Sequence, residues 1–305
     1  MTRPTRVLVT GAAGQVGVDL LDVLGGAVPL GGDAHFQPDA TPITNEEFAV
    51  IGLTRHDLDV TNPTQVARAL DVARPDVVVH LAAYTAVDRA EVERDACFAV
   101  NATAVGTLSD AARAVNAHFI TVSTDYVFDG AKGAYVEDDP TNPLSVYGAS
   151  KRAGELRCDE RDTIVRTSWV MGVRGTSVVH VIADRATNGE TVRFVNDQRG
   201  TVTAASDLAR ALATLVRERP GGYWHVANTG VTTWFDVAHF VGRALGRGDD
   251  FATAIPTSEL SPAPLAPRPA KSDLVTTKFA AAFAALPPWT EALTRLTRDR
   301  AKRAS

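Results

Sequence analysis

The sequence predicts an α/β fold: a doubly wound parallel sheet with a smaller C-terminal domain set over it. Three observations carry that expectation. Short Val- and Ile-rich runs alternate with helix-patterned stretches from Arg6 to Trp169, as parallel strands joined by crossover helices require. The first run, 6–10, opens directly into a turn with Gly11, Gly14 and Gly17, and an amphipathic stretch, 18–24, follows. Beyond Trp169 the elements shorten, and 256–269 is rich in proline. The expected division is 1–170 as the sheet domain, with 206–228 returning to it, and 171–305 as mainly the smaller one.

Size and charge narrow the classes. A chain of 305 residues can bury one large or two smaller cores. Its 45% apolar and 22% charged residues are those of an ordinary globular protein. A net charge of −5 and a pI near 5.8 argue against nucleic acid or an anionic membrane as the main partner. Two cysteines, Cys97 and Cys158, make neither a CxxC pair nor a ligand set, and the seven histidines form no HExxH. No metal is expected, and reduced thiols fit a cytoplasmic protein. No apolar run reaches bilayer length.

After the first strand and helix, 25–47 is rich in Gly, Pro and Asp and reads as a long surface loop. A second strand, 49–53, ends in Thr54-Arg55. Residues 59–62 start a helix with Pro63 in its first turn, and Pro75 ends it. The run 76–81 is apolar except for Asp76 at its start and His80, and leads into Ala82, Ala83, Tyr84 and Thr85. Helices are expected over 89–101 and 102–116, then a strand over 118–122 opening into Ser123, Thr124 and Asp125. A polar loop, 130–142, precedes a helix from Tyr147 to about Arg157, and a strand spans 163–169. Beyond it come a helix over 176–187, a strand over 191–196, and an amphipathic helix over 206–217 capped by Ser206. A strand at 222–227, a helix at 234–245 capped by Thr232 and Thr233, and helices over 274–284 and 289–301 complete the chain.

The chemistry-bearing residues fall at strand ends, where open parallel sheets bind ligands. In GxxGxxG, glycine lets backbone N–H groups approach a pyrophosphate at a helix N-terminus, so Gly11, Gly14, Gln15, Val16 and Gly17 are candidate nucleotide contacts. At the second strand's end the acid that binds an adenine ribose 2′-hydroxyl is missing and Arg55 is present. That favours a 2′-phosphate, and so NADPH, with NADH use left open. Tyr147 and Lys151, four apart, share one helix face, where an ammonium lowers a phenol's pKa toward the range useful for acid–base work.

Together the stretches Gly14-Gln-Val-Gly17, Ser123-Thr-Asp-Tyr-Val-Phe-Asp-Gly130, Pro143-Leu-Ser-Val-Tyr-Gly148 and Arg166-Thr-Ser-Trp169 carry a resemblance. The chain resembles the extended short-chain dehydrogenase/reductases, and more narrowly their dTDP-4-dehydrorhamnose reductase branch. The resemblance implies a Rossmann-type NAD(P)-binding domain and a C-terminal substrate-binding domain. It implies hydride delivery from NADPH to C4 of a 4-keto-6-deoxy sugar nucleotide. Tyr147 would be the proton donor, Lys151 would hold the cofactor ribose, and Thr124 would tune the phenol. Asp125 and Trp169 would contact the sugar; Asp59, Val60, Ala83, Tyr84 and Thr85 would join the glycine turn around the cofactor. A homodimer is compatible with it. Three departures stand out: the length of 25–47, Thr54 in place of an acid, and Val202 where a proline is common. An epimerase or dehydratase on the same fold, a reductase of a neighbouring keto sugar, and a non-catalytic subunit resembling the methionine adenosyltransferase regulatory protein are the rival readings. Tyr126 stands where the dehydratases place a second acid.

Overall fold

A computed structural model describes residues 3–29, 32, 43–44, 46–175 and 177–304. Strand β1 (Thr5–Thr10) leads into α1 (Gln15–Leu24), β2 (Phe48–Leu53), α2 (Pro63–Ala73) and β3 (Val77–His80). Short helices α3 (Val87–Ala90) and α4 (Arg94–Phe98), a π-turn at Ala99–Thr103 and α5 (Ala104–Ala114) lead to β4 (His118–Thr124). Next come α6 (Val146–Glu155) and β5 (Thr163–Thr167). The central sheet has six strands, all parallel, in the order β2-β1-β3-β4-β5-β10, where β10 is Gly222–His225. The direction of winding reverses between β1 and β3, which leaves a crevice beyond their carboxyl ends.

Both faces of this sheet are covered, and the sequence says why. In β1, Val7 and Val9 pack with Leu20, Val23 and Leu24 of α1, while Leu8 packs on the other face with Val66 and Leu70 of α2 and Leu108 of α5. A period of two sends successive residues to opposite faces, so a strand buried on both sides must be apolar throughout. Each such side chain contributes about 1.5–3 kcal/mol on burial. Asn62 caps α2 by accepting from Gln65 N, and Arg74 ends it in the left-handed conformation just before Pro75.

A second apolar cluster lies beyond Trp169. There β6 (Val170–Met171), α7 (Val178–Thr187), β7 (Val192–Val195), β8 (Arg199–Gly200) and β9 (Thr203–Ala204) precede α8 (Ala205–Glu218). After β10 follow β11 (Thr232–Thr233), α9 (Trp234–Ala244), β12 (Ala252–Ile255), α10 (Thr277–Ala282) and α11 (Trp289–Ala304). Val179, Ile182, Val237, Val241, Phe251, Leu293 and Leu296 form the cluster's centre. Among the described residues the strands here pair in twos: β6 with β9 and β7 with β12 in parallel, β8 with β11 antiparallel. Helix α9 has the full capping box, Thr233 and Asp236 satisfying each other's backbone N–H.

Several expectations are corrected. The two helices expected over 89–116 are three, and the π-turn joins α4 to α5 so that Asn101 points inward. The strand expected to reach 169 ends at Thr167, because Trp169 adopts φ of 43°. Ser206 does not cap α8: Ala204 occupies that position without a side-chain cap, and Ser206 is buried inside the helix. That helix is not amphipathic in use, since Ala205 through Val216 are all buried where it passes between α1 and the second cluster. The helix expected at 274–284 shrinks to α10, as Leu274 bridges to Tyr135 instead. Of the loop 25–47, residues 30, 31, 33–42 and 45 lie outside the described residues, as does Thr176, where α7 was expected to begin.

Burial gives the fold an acid-sensitive component. Desolvation holds His80 and His225 at about 3 and His118 at about 4, against an ordinary 6.5. Below about pH 6.5 the unfolded chain takes up protons that these folded imidazoles refuse, so their contribution is intact above that pH and is lost as pH falls toward 3–4. Asp19, raised to about 7, and Asp125, raised to about 6, both by burial, work in the opposite sense. In His118→Gln the slope of unfolding free energy against pH, from urea titrations between about pH 6.5 and 4, should be shallower by about one proton, roughly 1.4 kcal/mol per pH unit.

Candidate active site

The glycine turn is pinned against the end of β3. Gly11 has φ of +69°, and a Cβ there would lie 2.6 Å from Ala82 N. One on Gly17 would lie 2.3 Å from Gly11 O, so the first turn of α1 rests directly on the backbone it follows. Gly14 is the N-cap of α1 and offers no side-chain cap, which leaves the leading N–H groups of that helix directed at the crevice.

These elements wall one side of a cleft of about 1090 Å³. Gly11, Gly14, Gln15, Val16 and Gly17 line it with Arg55, Asp59 and Val60 from the segment after β2. Arg55 is exposed at the strand end, and Thr54 donates to Asp57 from both backbone and hydroxyl at 2.9 and 2.6 Å, fixing the turn. Asp59 accepts from Thr61 N and Oγ1, which hold its carboxyl below the usual range. Ala83, Tyr84 and Thr85 continue the wall after β3. Tyr84 Oη donates to Glu93 at 2.6 Å.

The far end of the cleft carries Thr124, Tyr147, Lys151 and Trp169. Ser145 caps α6 by accepting from Gly148 N at 3.1 Å, and Gly148 is required because a Cβ would stand 2.2 Å from Tyr126 O. Tyr147 follows from that close approach: its ring meets Tyr126 edge-on at 5.9 Å, and Thr124 hydrogen-bonds its phenol. Lys151 Nζ donates to Val122 O at 2.6 Å. Trp169 stacks on Trp234 at 4.1 Å and packs so tightly on Gly200 that a Cβ there would lie 2.8 Å from the indole.

Two expectations about this end are revised. The phenol of Tyr147 is not lowered: burial pushes it up, with Asp125 adding to the rise, while Lys151 is engaged with Val122 O. Asp125 does not line the cleft. It is 2% exposed, accepts from Thr124 Oγ1 at 3.1 Å and from Ser272, and burial raises it to about 6. Asn101 was missed by the sequence reasoning. Its amide accepts from Tyr84 N and donates to Tyr84 O, both at 2.9 Å, and donates to Ser150 Oγ at 3.0 Å, so one side chain registers the cleft wall against the helix of Tyr147. A lone Asn inside a helix pattern gives no signal of that role. Among the described residues no cluster could hold a metal ion, and no helix is long and apolar enough to cross a membrane.

Gly17→Ala tests the glycine turn. Its methyl would meet backbone of Gly11 and Ala12, which cannot step aside, so the urea midpoint should fall by the equivalent of about 1–3 kcal/mol.

Comparison with known proteins places the chain in a family. The family model described as the RmlD substrate binding domain matches residues 40–301. A dTDP-4-dehydrorhamnose reductase of Burkholderia thailandensis is 37% identical over 96% of this chain and 98% of its own. One of Streptomyces griseus is 40% identical over 95% and 92%. The crystal structure of dTDP-4-dehydrorhamnose reductase from Bacillus anthracis in complex with NADP superposes with a TM-score of 0.86 at 31% identity, covering 97% of this chain and 100% of that one. The chain belongs to the dTDP-4-dehydrorhamnose reductase family.

Proposed function

We propose that the protein reduces the C4 keto group of dTDP-4-dehydro-L-rhamnose with NADPH, giving dTDP-L-rhamnose. The observation that carries this is one continuous cleft with a glycine turn and an arginine at one end and a Tyr–Lys–Thr group at the other. The residues fit the cofactor. The uncapped N-terminus of α1 suits a pyrophosphate, and Arg55 suits a 2′-phosphate. Gly11, Gly14, Gln15, Val16, Gly17, Asp59, Val60, Ala83, Tyr84 and Thr85 would hold its adenosine and phosphates. Tyr147 and Lys151 would hold its other end. When bound, NADPH supplies the hydride.

The chain supplies the proton and the orientation. Tyr147 is a phenol throughout the neutral range, because burial disfavours its anion, and a reduction needs an acid at the carbonyl oxygen. As negative charge develops on that oxygen, Tyr147 Oη gives up its proton, and the Thr124 hydroxyl steadies the phenolate left behind by turning to it from Asp125. Trp169 offers a flat apolar wall for the sugar, braced by Trp234. Asp125 acts from behind the wall, fixing Thr124. The residues after Trp169, apart from those of α8 and β10, form the substrate-binding part. The reading implies a small nucleotide-sugar substrate, a cytoplasmic setting, no nucleic-acid or membrane partner, and a homodimer as an admissible state.

NADPH oxidation followed with a panel of dTDP- and UDP-linked 4-keto sugars tests the reading. Stoichiometric oxidation with the dTDP-linked rhamnose precursor supports it; catalysis without net oxidation would point to an epimerase or dehydratase. In Tyr147→Phe, kcat should fall by about 10²–10⁴-fold with NADPH affinity kept, and unchanged turnover would remove the phenol from the chemistry. A protein that binds NADPH and turns nothing over is the regulatory-subunit outcome. Arg55→Ala should raise KM for NADPH by about tenfold and leave that for NADH unchanged; equal changes for both would deny the 2′-phosphate contact.

A further inference from the structure

Beneath Tyr147 and Lys151 lies a second set of charges that the reduction as described does not use. Glu155 stands one helical turn beyond Lys151 on α6, on the same face, and is 2% exposed. Four donors aim at its carboxylate. Ser123 Oγ donates to Oε1 at 2.6 Å, Arg166 Nε to Oε1 and Nη2 to Oε2 at 2.9 Å each, and Arg152 Nη1 to Oε2 at 3.0 Å. A group that accepts all four is an ionised carboxylate. Arg166 is itself 2% exposed and lies over the rings of Tyr223 and Phe128, 4.4 and 5.1 Å from their centroids, so the clamp is rigid. A cavity of about 10 Å³, about the volume needed for one water, is walled by Asn101, Ser123, Lys151 and Glu155.

An ammonium 8% exposed is costly to keep charged, and burial favours the neutral amine. We propose that Glu155 is a positioning residue for the reduction, its clamped carboxylate holding Lys151 in the charged, fully donating form from behind the cleft. The proposal deepens the reductase reading and rests on it. The other titratable groups around Lys151 have hydrogen-bond partners of their own, and of them Cys97 also favours the lysine's charged form. His80 on β3 is bonded to Thr10, Cys97 on α4 to Ser150, and Asp125 after β4 to Ser272 and Thr124. Tyr147 one turn earlier is held as a neutral phenol, and Arg152 and Arg166 keep their positive charges beside Glu155, Arg152 bonding Tyr223 Oη and Arg166 the Glu137 carbonyl as well. Burial brings Lys151 down to about 8, with Glu155 the foremost influence in the other direction. Without that carboxylate the lysine would lose its proton at lower pH.

The test is the pH profile of the full-length protein with NADPH and the dTDP-linked keto sugar, beside NADPH affinity read from its fluorescence. In Glu155→Gln the alkaline limb of kcat should move to lower pH by about one unit, leaving kcat at about pH 6.5 within about twofold of the parent. NADPH affinity should fall about tenfold at about pH 9 and stay unchanged at about pH 6.5. Glu155→Asp, which keeps the charge, should restore the limb. Since Glu155→Gln leaves Arg166 buried without a counter-charge, the double variant Glu155→Gln/Arg166→Met stands in if the single one does not fold; it removes one charge of each sign, so a smaller shift in the same direction is expected of it. An unmoved limb, or an equal loss at every pH, means a purely structural role and overturns the proposal. If the parent turns over no keto sugar, the reductase reading falls, and the pH dependence of NADPH affinity still decides the part played by Glu155.

Discussion

The structure depends on one close approach of backbone to backbone, where the turn after β1 meets the start of the segment after β3. Gly11 leaves no room for a side chain there and Gly17 none against the turn itself, so the turn stays thin where the winding reverses between these two strands. The crevice, the open N-terminus of α1 and the run from Leu81 to Thr85 are consequences of that contact. Asn101 then carries the same registration across to α6, because one amide fastens Tyr84 and Ser150 together. A π-turn is what directs it there; an unbroken α-helix would rotate the residue away from that pair.

Low dielectric governs the chemistry at the far end. Tyr147, Lys151 and Asp125 are each shifted toward their neutral forms by burial, and His80 nearby is neutral as well. A site so dry makes every fixed charge count for more than it would in water. It also explains why the ammonium does not simply acidify the phenol, as a spacing of four on a helix led one to expect. Desolvation of the phenolate is the larger effect, and Lys151 points its head at a backbone carbonyl.

Much of this was legible from residues alone. Alternating apolar runs gave the parallel sheet because a strand covered on both faces has no other way to be stable, and the glycine spacing located the crevice for the same reason of space. Candidate residues from Gly11 to Thr85, with Thr124, Tyr147, Lys151 and Trp169, all line one cleft. What escaped was set by contacts distant in sequence. Trp169 turns out of its strand with a positive φ while its indole rests on Gly200 and Trp234, and no local pattern announces that. Helix α8 has an amphipathic sequence but is enclosed on every side, its Asp207 paired with Arg295 of α11, so its polar face meets protein where water was expected.

Asp125 makes the same point about function. The resemblance placed it against the sugar; the fold uses it as a tie. Together with Asp88 and Asp273 it fastens the segment from Ala266 to Leu274 in place. Asp88 takes Arg268 through both oxygens at 2.7 and 2.8 Å, Asp125 takes Ser272, and Asp273 takes Arg199 Nε and Ala134 N at 3.1 and 2.8 Å. Three carboxylates from separate parts of the chain therefore set how the second layer sits over the first. The bidentate grip of Asp88 and the buried carboxylates of Asp125 and Asp273 hold geometry more firmly than exposed single contacts, which contribute little. The placement of the segment from Ala266 to Leu274 is thus governed by carboxylate ties of three kinds: a bidentate ion pair, a serine hydroxyl, and an arginine with a backbone N–H.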